Sequence, residues 1–409
     1  MRTCIIGGGL TGLAAAGALA KEQEVVLLEG QDHLGGCLSS YPVGDTWVER
    51  FYHHCFSGDT LLQELMQRLG LGGRLEWLQG STGSYDGGTC YPLTTPREIL
   101  AYPGLTLMQK ARLAWLTRRS RAMNVETLDT VTAKDFINEQ LGEETYRAFF
   151  EPLLKSKFGE RRDDVSAAWL VSRIAIRSDR GIAGERLGYI RGGFQLLIEA
   201  LAADAARSGC TIRLRSPARS LQRNGSGWLV NNEPYDTVIA TIPPQVISRI
   251  GGPDLPPVPY QGAACMTLGL ARDVTRGIYW LNMKDPAPYG AVVSHTNFVP
   301  PSRYGGDHIV YLASYFAGTV SPGLDLTMLE DFSRRFGLGP GEVRWQHMAV
   351  EPCAGPVYTT GYRRMIPSYC EKGLILAGMY SEPNYPERSM EGSLKAGSAA
   401  AAIAGKAGA

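Results

Sequence analysis

No run of apolar residues in the 409-residue chain reaches the ~20 needed to cross a bilayer, so no membrane-spanning helix is expected. An excess of charge of one sign is missing too. The formal net charge is +1, which excludes the strong global field that draws a protein to nucleic acid. The eight cysteines, Cys4, Cys37, Cys55, Cys90, Cys210, Cys265, Cys353 and Cys370, stand apart without a C-x-x-C pair. Zinc or iron–sulfur ligation is therefore not expected, and no metal site is read. Cys4 falls in an apolar run, where a free thiol is a small filler; a reducing, cytoplasmic setting is expected. There is no internal repeat, no low-complexity stretch and no Ser/His/Asp constellation. The chain starts almost directly on a strand-like run, which leaves no room for a signal peptide. Its length exceeds one compact core and predicts two or three domains.

What the chain does have is concentrated between Arg2 and Gly36. Cys4-Ile5-Ile6 reads as a buried parallel strand. Gly7, Gly9 and Gly12 follow in a G-x-G-x-x-G arrangement that runs into an Ala- and Leu-rich helix. Gly7 permits the tight turn, Gly9 lets the backbone approach a pyrophosphate, and Gly12 lets the helix pack on the strand. The N–H groups at the helix start, Leu10 and Thr11 among them, favour phosphate charge. Val25–Leu28 predicts a second strand ending in Glu29, seventeen residues after Gly12. That is close to the spacing of about 20 for a carboxylate that holds a ribose 2′-OH. A 2′-phosphate is disfavoured there, so NADP is the poorest candidate. Strand, glycines, helix and acidic residue together supply the context that a bare glycine motif lacks; the alternative is a glycine-rich turn in an ordinary doubly wound sheet.

Further along, Leu34-Gly35-Gly36 would let the chain pass close to the same pyrophosphate. Trp47 to Phe56 is a polar-aromatic loop carrying Glu49, His53 and His54. Asp59 to Leu69 has helical periodicity, followed by three short strand-like pieces around 75–78, 84–85 and 90–93. Residues 95–177 read as mostly helical. Within them, 106–122 carries Lys110, Arg112, Arg118, Arg119 and Arg121 with no acidic residue. Leu107, Met108, Leu113, Trp115 and Leu116 give it an apolar side. It reads either as a solvated basic face or as a helix that contacts an anionic membrane. Arg191-Gly192-Gly193-Phe194 is a glycine turn before a helix over 195–207. Short strands follow over 211–215, 221–223 and 228–230. Thr237–Ala240 predicts another buried parallel strand, stopped by Pro243-Pro244, and 373–378 a final buried strand. Pro253 to Pro259 looks like a boundary, and 262–350 reads as a second sheet. A last helix begins at Met390.

Several of these motifs together resemble the flavin-dependent amine oxidase, protoporphyrinogen oxidase and phytoene desaturase superfamily. The resemblance is to its bacterial and archaeal protoporphyrinogen-oxidase-like branch. It runs over nearly the whole chain and is carried by Gly7–Gly12 with Glu29, Leu34-Gly35-Gly36 and Glu49-Arg50-Phe51-Tyr52-His53-His54. Arg191-Gly192-Gly193-Phe194, Ala240-Thr241-Ile242-Pro243-Pro244 and Ser389-Met390-Glu391-Gly392-Ser393 complete it. The resemblance implies an α/β fold: a Rossmann-like FAD-binding domain of the GR2 type, with a substrate-domain β-sheet and a helical cap. The expected division is 1–58, 192–250 and 355–409 for the FAD domain, 59–191 for the cap and 251–354 for the substrate sheet. It also implies non-covalent FAD. The glycine loop would take the pyrophosphate, Glu29 the ribose, and the backbone near Ala218 the adenine. Gly378 and Met379 would lie along the linker, and the Met390-Glu391 turn would face the pyrimidine end of the isoalloxazine. Three positions depart from the family pattern. Cys37 stands where Arg is common, Met379 stands where Asp is common, and 262–268 lacks the Lys that amine-oxidising members carry near the flavin.

The expected activity is hydride removal from a C–N or C–C bond of a small-molecule substrate, apolar or isoprenoid-like, passing electrons to an unidentified acceptor. A non-redox flavoenzyme resembling UDP-galactopyranose mutase and a flavin-binding regulatory module are the alternatives. His53 and His54 are the first candidates for proton handling, because an ordinary histidine titrates near neutrality; each is otherwise a structural histidine. His295 is a further candidate. Tyr279, Trp280, Tyr358 and Tyr362 could line the substrate cavity or simply fill a core. Arg363-Arg364 reads as solvated or as facing an anionic substrate.

Overall fold

The computed structural model describes residues 1–177 and 185–406. Positions 178–184 of the expected cap and 407–409 of the expected FAD segment lie outside the described residues.

The nucleotide half is built on a six-stranded sheet. Its order is 370–371, 374–376, 237–240, 2–6, 24–28, 211–213. All neighbours are parallel except the short edge strand at 370–371. Cys4, Ile5 and Ile6 pair with Val238, Ile239 and Ala240 on one side and with Val26, Leu27 and Leu28 on the other. All nine are buried. That is why these segments read as short continuous apolar runs rather than alternating ones. Helix Leu10–Leu19 covers one face, and the final helix Met390–Lys406 lies against it. Glycine sets that approach: a Cβ on Gly397 would collide with the carbonyl oxygen of Thr11. A small antiparallel sheet over 221–235 bridges between strands of this half.

The other half is a seven-stranded sheet ordered 343–356, 260–270, 308–316, 291–294, 280–283, 82–86, 89–92. It is antiparallel but for one parallel pairing, 280–283 with 82–86. Met266, Leu268 and Leu270 on strand Tyr260–Leu270 join the core beneath helix Leu324–Phe336. Cys265 points the other way, into the core shared with the nucleotide half. The strand-like pieces expected inside 59–191 find different partners. Residues 82–92 extend the large sheet, and Leu75–Gly80 pairs with Glu185–Ile190. Sequence periodicity gives a strand's existence, but partner choice depends on distant residues. The helical block thus starts at Pro96, where Thr95 and Glu98 form a reciprocal cap. Helices Leu107–Arg119, Ala133–Leu141, Glu151–Phe158 and Ala167–Arg177 follow. Among the described residues, no helix is long and apolar enough to cross a membrane.

Candidate functional site

The two glycine-rich stretches meet. The Gly35 N–H donates to the Gly8 carbonyl at 2.9 Å, and Gly9 and Gly35 pair as an isolated parallel bridge. Gly35 and Gly36 have φ of 109° and 54°, a backbone that a side chain disfavours. A Cβ on Gly12 would collide with the Gly7 carbonyl, whereas a Cβ on Gly9 would meet nothing within 4 Å. Gly12 is therefore a packing glycine, and Gly9 faces open space. Helix Leu10–Leu19 starts at Gly9 without a side-chain cap. Its first N–H groups, those of Leu10, Thr11 and Gly12, are left for an anion.

Glu29 stands beside this cradle. Its carboxylate accepts the Gly8 N–H at 2.7 Å and the Gln31 N–H at 2.8 Å. Ser216 N–H donates to the Glu29 carbonyl, and Pro217 approaches Gly30, so the backbone leading into Ala218 runs alongside Glu29 and Gly30. Gly378 ends strand Leu374–Leu376: its N–H donates to Ser381 Oγ and its carbonyl accepts from Asn384 Nδ2. Met379 and Met390 are half-buried in the same region. Residues from 7 to 390 thus converge on the C-terminal edge of the parallel sheet, where ligands of such sheets bind.

Between the cradle and the second sheet, enclosed residues border an internal space. Cys37, Tyr52, His53, Tyr260, Glu387 and Arg388 are surrounded by protein on all sides. Each nevertheless keeps some accessible surface, as residues lining an internal space do. The Tyr52 and Tyr315 hydroxyls lie 2.9 Å apart, and Tyr52 stands edge-on to Trp280. His53 Nδ1 is 2.6 Å from the Phe51 carbonyl, so Nδ1 carries the proton and Nε2 is the acceptor. Burial pushes the His53 pKa down to about 4. The ring is neutral at neutral pH and serves as a hydrogen-bond acceptor rather than a strong base. His54 Nδ1 pairs with the Tyr279 hydroxyl at 3.1 Å. Burial raises the Cys37 thiol to about 12, which keeps it protonated and a poor nucleophile.

Several expected residues go elsewhere. His295 is 2 % exposed and sealed among Tyr189, Phe298, Tyr304 and Tyr311. Its Nε2 bonds the Tyr304 hydroxyl at 2.7 Å, and burial lowers its pKa to about 3. It is a satisfied core histidine with no access to a ligand. Tyr358 and Tyr362 are also fully buried. The Tyr358 hydroxyl donates to the Asn384 carbonyl, and Tyr362 stacks with Tyr385. Tyr279 and Trp280 pack in a different core from Tyr358 and Tyr362, so the four do not form one wall. The Glu391 carboxylate points away from the cradle. It accepts the N–H groups of Leu61 and Leu62 at 3.2 and 2.9 Å. Of Glu391, only the backbone remains for a ligand. Arg363 pairs with Glu126. Tyr315, Glu387 and Arg388 are cavity residues that sequence reasoning passed over. A Glu-Arg pair in a Pro-broken loop carries the composition of a solvated turn, and no local signal marks it as interior.

Comparison with known proteins agrees with this geometry. The model of the family described as flavin containing amine oxidoreductase matches residues 10–404. Coproporphyrinogen III oxidase of Mycobacterium tuberculosis is 24% identical over 285 residues, which cover 60% of this chain and 60% of that protein. The match thus spans about three-fifths of that relative's length. Among solved structures, a protein of Exiguobacterium sp. 255-15 provisionally named a protoporphyrinogen oxidase superposes with a TM-score of 0.77 at 20% identity, covering 98% of each chain. Reduced UDP-galactopyranose mutase gives 0.75 at 17% identity, over 100% of this chain and 94% of that one. At such identities the structural likenesses establish the fold alone.

Proposed function

The chain belongs to the flavin-containing amine oxidoreductase family, and from that premise we propose that it is an FAD-dependent oxidoreductase. Its reaction is hydride removal from a C–N or C–C bond of a small organic substrate. The observation that carries this reading is the cradle. Gly9 is backed by open space, the N–H groups of the first helical turn are uncapped, and the Glu29 carboxylate is held at the rim by Gly8. That set fits a dinucleotide with a free ribose hydroxyl. In it, Gly9, Leu10, Thr11 and Gly12 would hold the pyrophosphate, Glu29 the ribose and Ala218 the adenine. Gly35, Gly36, Gly378, Met379 and the Met390-Glu391 backbone would line the remainder. When bound, FAD supplies a two-electron hydride acceptor. The residues of the chain orient the substrate through Tyr52, Tyr315 and the His53 Nε2, and they exclude water by enclosing the cavity. We propose that the flavin is held without a covalent bond; burial raises the Cys37 thiol to about 12, which disfavours attack by that side chain.

The purified protein should show an oxidised-flavin spectrum, and acid precipitation should leave FAD in the supernatant. Anaerobic addition of a substrate should bleach that spectrum. A colourless protein that takes up no added FAD would overturn the cofactor assignment. Turnover of a substrate only by the reduced protein, without net electron transfer, would overturn the oxidoreductase assignment.

A second feature concerns location. On helix Leu107–Arg119, Leu107 and Met108 are 72% and 65% exposed and Trp115 is 45% exposed. Arg118 and Arg119 are exposed beside them, and Arg119 stacks on Trp115. Lys110 and Arg112 are instead tied to carbonyls of Leu100 and Leu141. Exposed apolar side chains flanked by cations fit an anionic lipid surface, and we propose that this helix makes peripheral contact with one. Cosedimentation with vesicles rich in phosphatidylserine should be strong at low salt and fall at high salt. Absence of binding at every salt concentration would dispose of the idea.

A further inference from the structure

The enclosed cavity contains a cation that the fold itself does not use. Arg388 sits on the loop just before helix Met390–Lys406, and its guanidinium lies directly on Gly355. A Cβ at 355 would collide with it, so bare backbone creates the space this side chain fills. Among the described residues, no hydrogen bond or ion pair ends on the guanidinium. The carboxylate next to it in sequence is shared: one oxygen of Glu387 faces Lys157 and Arg173, each at 3.5 Å, and its charge also reaches Arg388 without a hydrogen bond. The other groups within reach of its charge include Cys37, His53 and Tyr358. All three are held neutral, the thiol and the phenol by an upward shift and the imidazole by a downward one. Lys157, Arg173 and Arg388 face Glu387 and, beside Cys37, Glu351.

Taking a guanidinium out of bulk water is costly unless partners compensate. Here the protein encloses one, shapes its own backbone to make room for it, and offers it the shared charge of Glu387 but no hydrogen bond among the described residues. The donors of its fork are left for an anion from outside. We infer that the cavity accepts a substrate bearing a carboxylate or phosphate group, and that Arg388 is the specificity-determining residue that binds it. The planar fork of arginine suits two parallel hydrogen bonds to either group. Tyr52, Tyr260 and Tyr315 offer an aromatic wall for the body of the molecule. This reading rests on the proposed function only in treating the cavity as the substrate site. It replaces the expectation of a wholly apolar substrate with one that has an anionic end.

The test is a binding measurement on the flavin-loaded protein, which needs no turnover. Calorimetric titrations at fixed ionic strength would compare benzoate and phenyl phosphate with neutral benzamide and cationic benzylamine. At least one of the two anions should bind about tenfold or more tightly than benzamide, as expected for a charge-assisted bidentate pair, with benzylamine the weakest. Arg388→Gln should remove that preference and leave benzamide binding unchanged, while Arg388→Lys should retain part of it. The preference of benzoate over phenyl phosphate, or the reverse, separates carboxylate from phosphate. Benzamide binding as well as both anions to the wild-type protein would overturn the inference without any variant. So would an undiminished anion preference in Arg388→Gln. Loss of flavin in Arg388→Gln together with no anion preference in the wild type would assign the guanidinium to the cofactor instead. A protein without flavin would fail the proposed function at the spectrum, before any titration.

Discussion

At the scale of single residues, two glycines of one motif do different jobs, and substitution separates them. Gly9→Ala places a methyl group in open space with an ordinary backbone (φ −75°). Stability should be unchanged or slightly improved, while FAD affinity falls about tenfold or more because the methyl group intrudes where phosphate approaches. Gly12→Ala drives a methyl group into the Gly7 carbonyl and should cost about 1–3 kcal/mol in urea unfolding, as overpacking does. Equal effects of the two on stability would refute the distinction. Titrating groups give a second prediction. Burial lowers His53 from 6.5 to about 4 and His295 from 6.5 to about 3. A depressed folded pKa means stability that is complete above 6.5 and lost as pH falls through the folded value. Glu49, buried against Phe194 N–H and the Tyr189 hydroxyl, is raised from 4.5 to about 7. Its contribution is complete below 4.5 and lost as pH rises toward 7. Between pH 4.5 and 6.5 the two histidines outweigh the one glutamate. The urea midpoint should therefore already fall gently there and more steeply just below about 4.5, and His295→Gln should flatten that limb. An acid limb of equal slope in the variant would sink the assignment of His295 to it.

At the scale of elements, the start of helix Thr60–Arg68 is secured from far away. Asp59 provides no side-chain cap bond to it. Glu391 does so by accepting the Leu61 and Leu62 N–H groups, and Lys395 pairs with the same carboxylate at 3.0 Å. Glu391→Ala leaves two donors without an acceptor and should destabilise the protein by about 1–3 kcal/mol, with FAD affinity of the folded protein largely kept. A large loss of FAD affinity with unchanged stability would instead return the side chain to the cofactor. The strand-like pieces at 75–92 and the helix at 10–19 were legible because periodicity and composition are local properties. Glu391 as a cap was not, because its partner lies at the other end of the chain.

At the scale of the whole molecule, the proposed cofactor spans segments from residues 7 to 390, and the cavity adds the second sheet. A ligand that binds only the assembled form stabilises it by about 4 kcal/mol at a thousandfold excess over its Kd. Protein stripped of flavin should therefore melt several degrees lower than protein refilled with FAD, and differential scanning fluorimetry would show it. Identical melting of both forms would mean that the cradle does not tie the segments together. The cavity also explains why the candidate site was only half visible in sequence. Gly7 to Glu29 is a contiguous motif whose spacing has a mechanical meaning. Tyr52, Tyr315 and Arg388 meet only when the loop at 51–56, the strand at 308–316 and the loop before the last helix come together.

The sequence by itself determined the parallel strands, the glycine turn into the first helix, the acidic rim residue and the final helix. Each follows from short-range rules of backbone freedom, apolar runs and helix composition. The tertiary structure alone decided which polar residues are inside and which are accessible there. His295 and Tyr362 carry the same side-chain chemistry as His53 and Tyr52, yet one pair is sealed in cores and the other faces the cavity. Enclosure is set by everything packed around a residue, and so is the electrostatic value of a charge. That is why Arg388, unremarkable in its loop, becomes an enclosed guanidinium awaiting an anion.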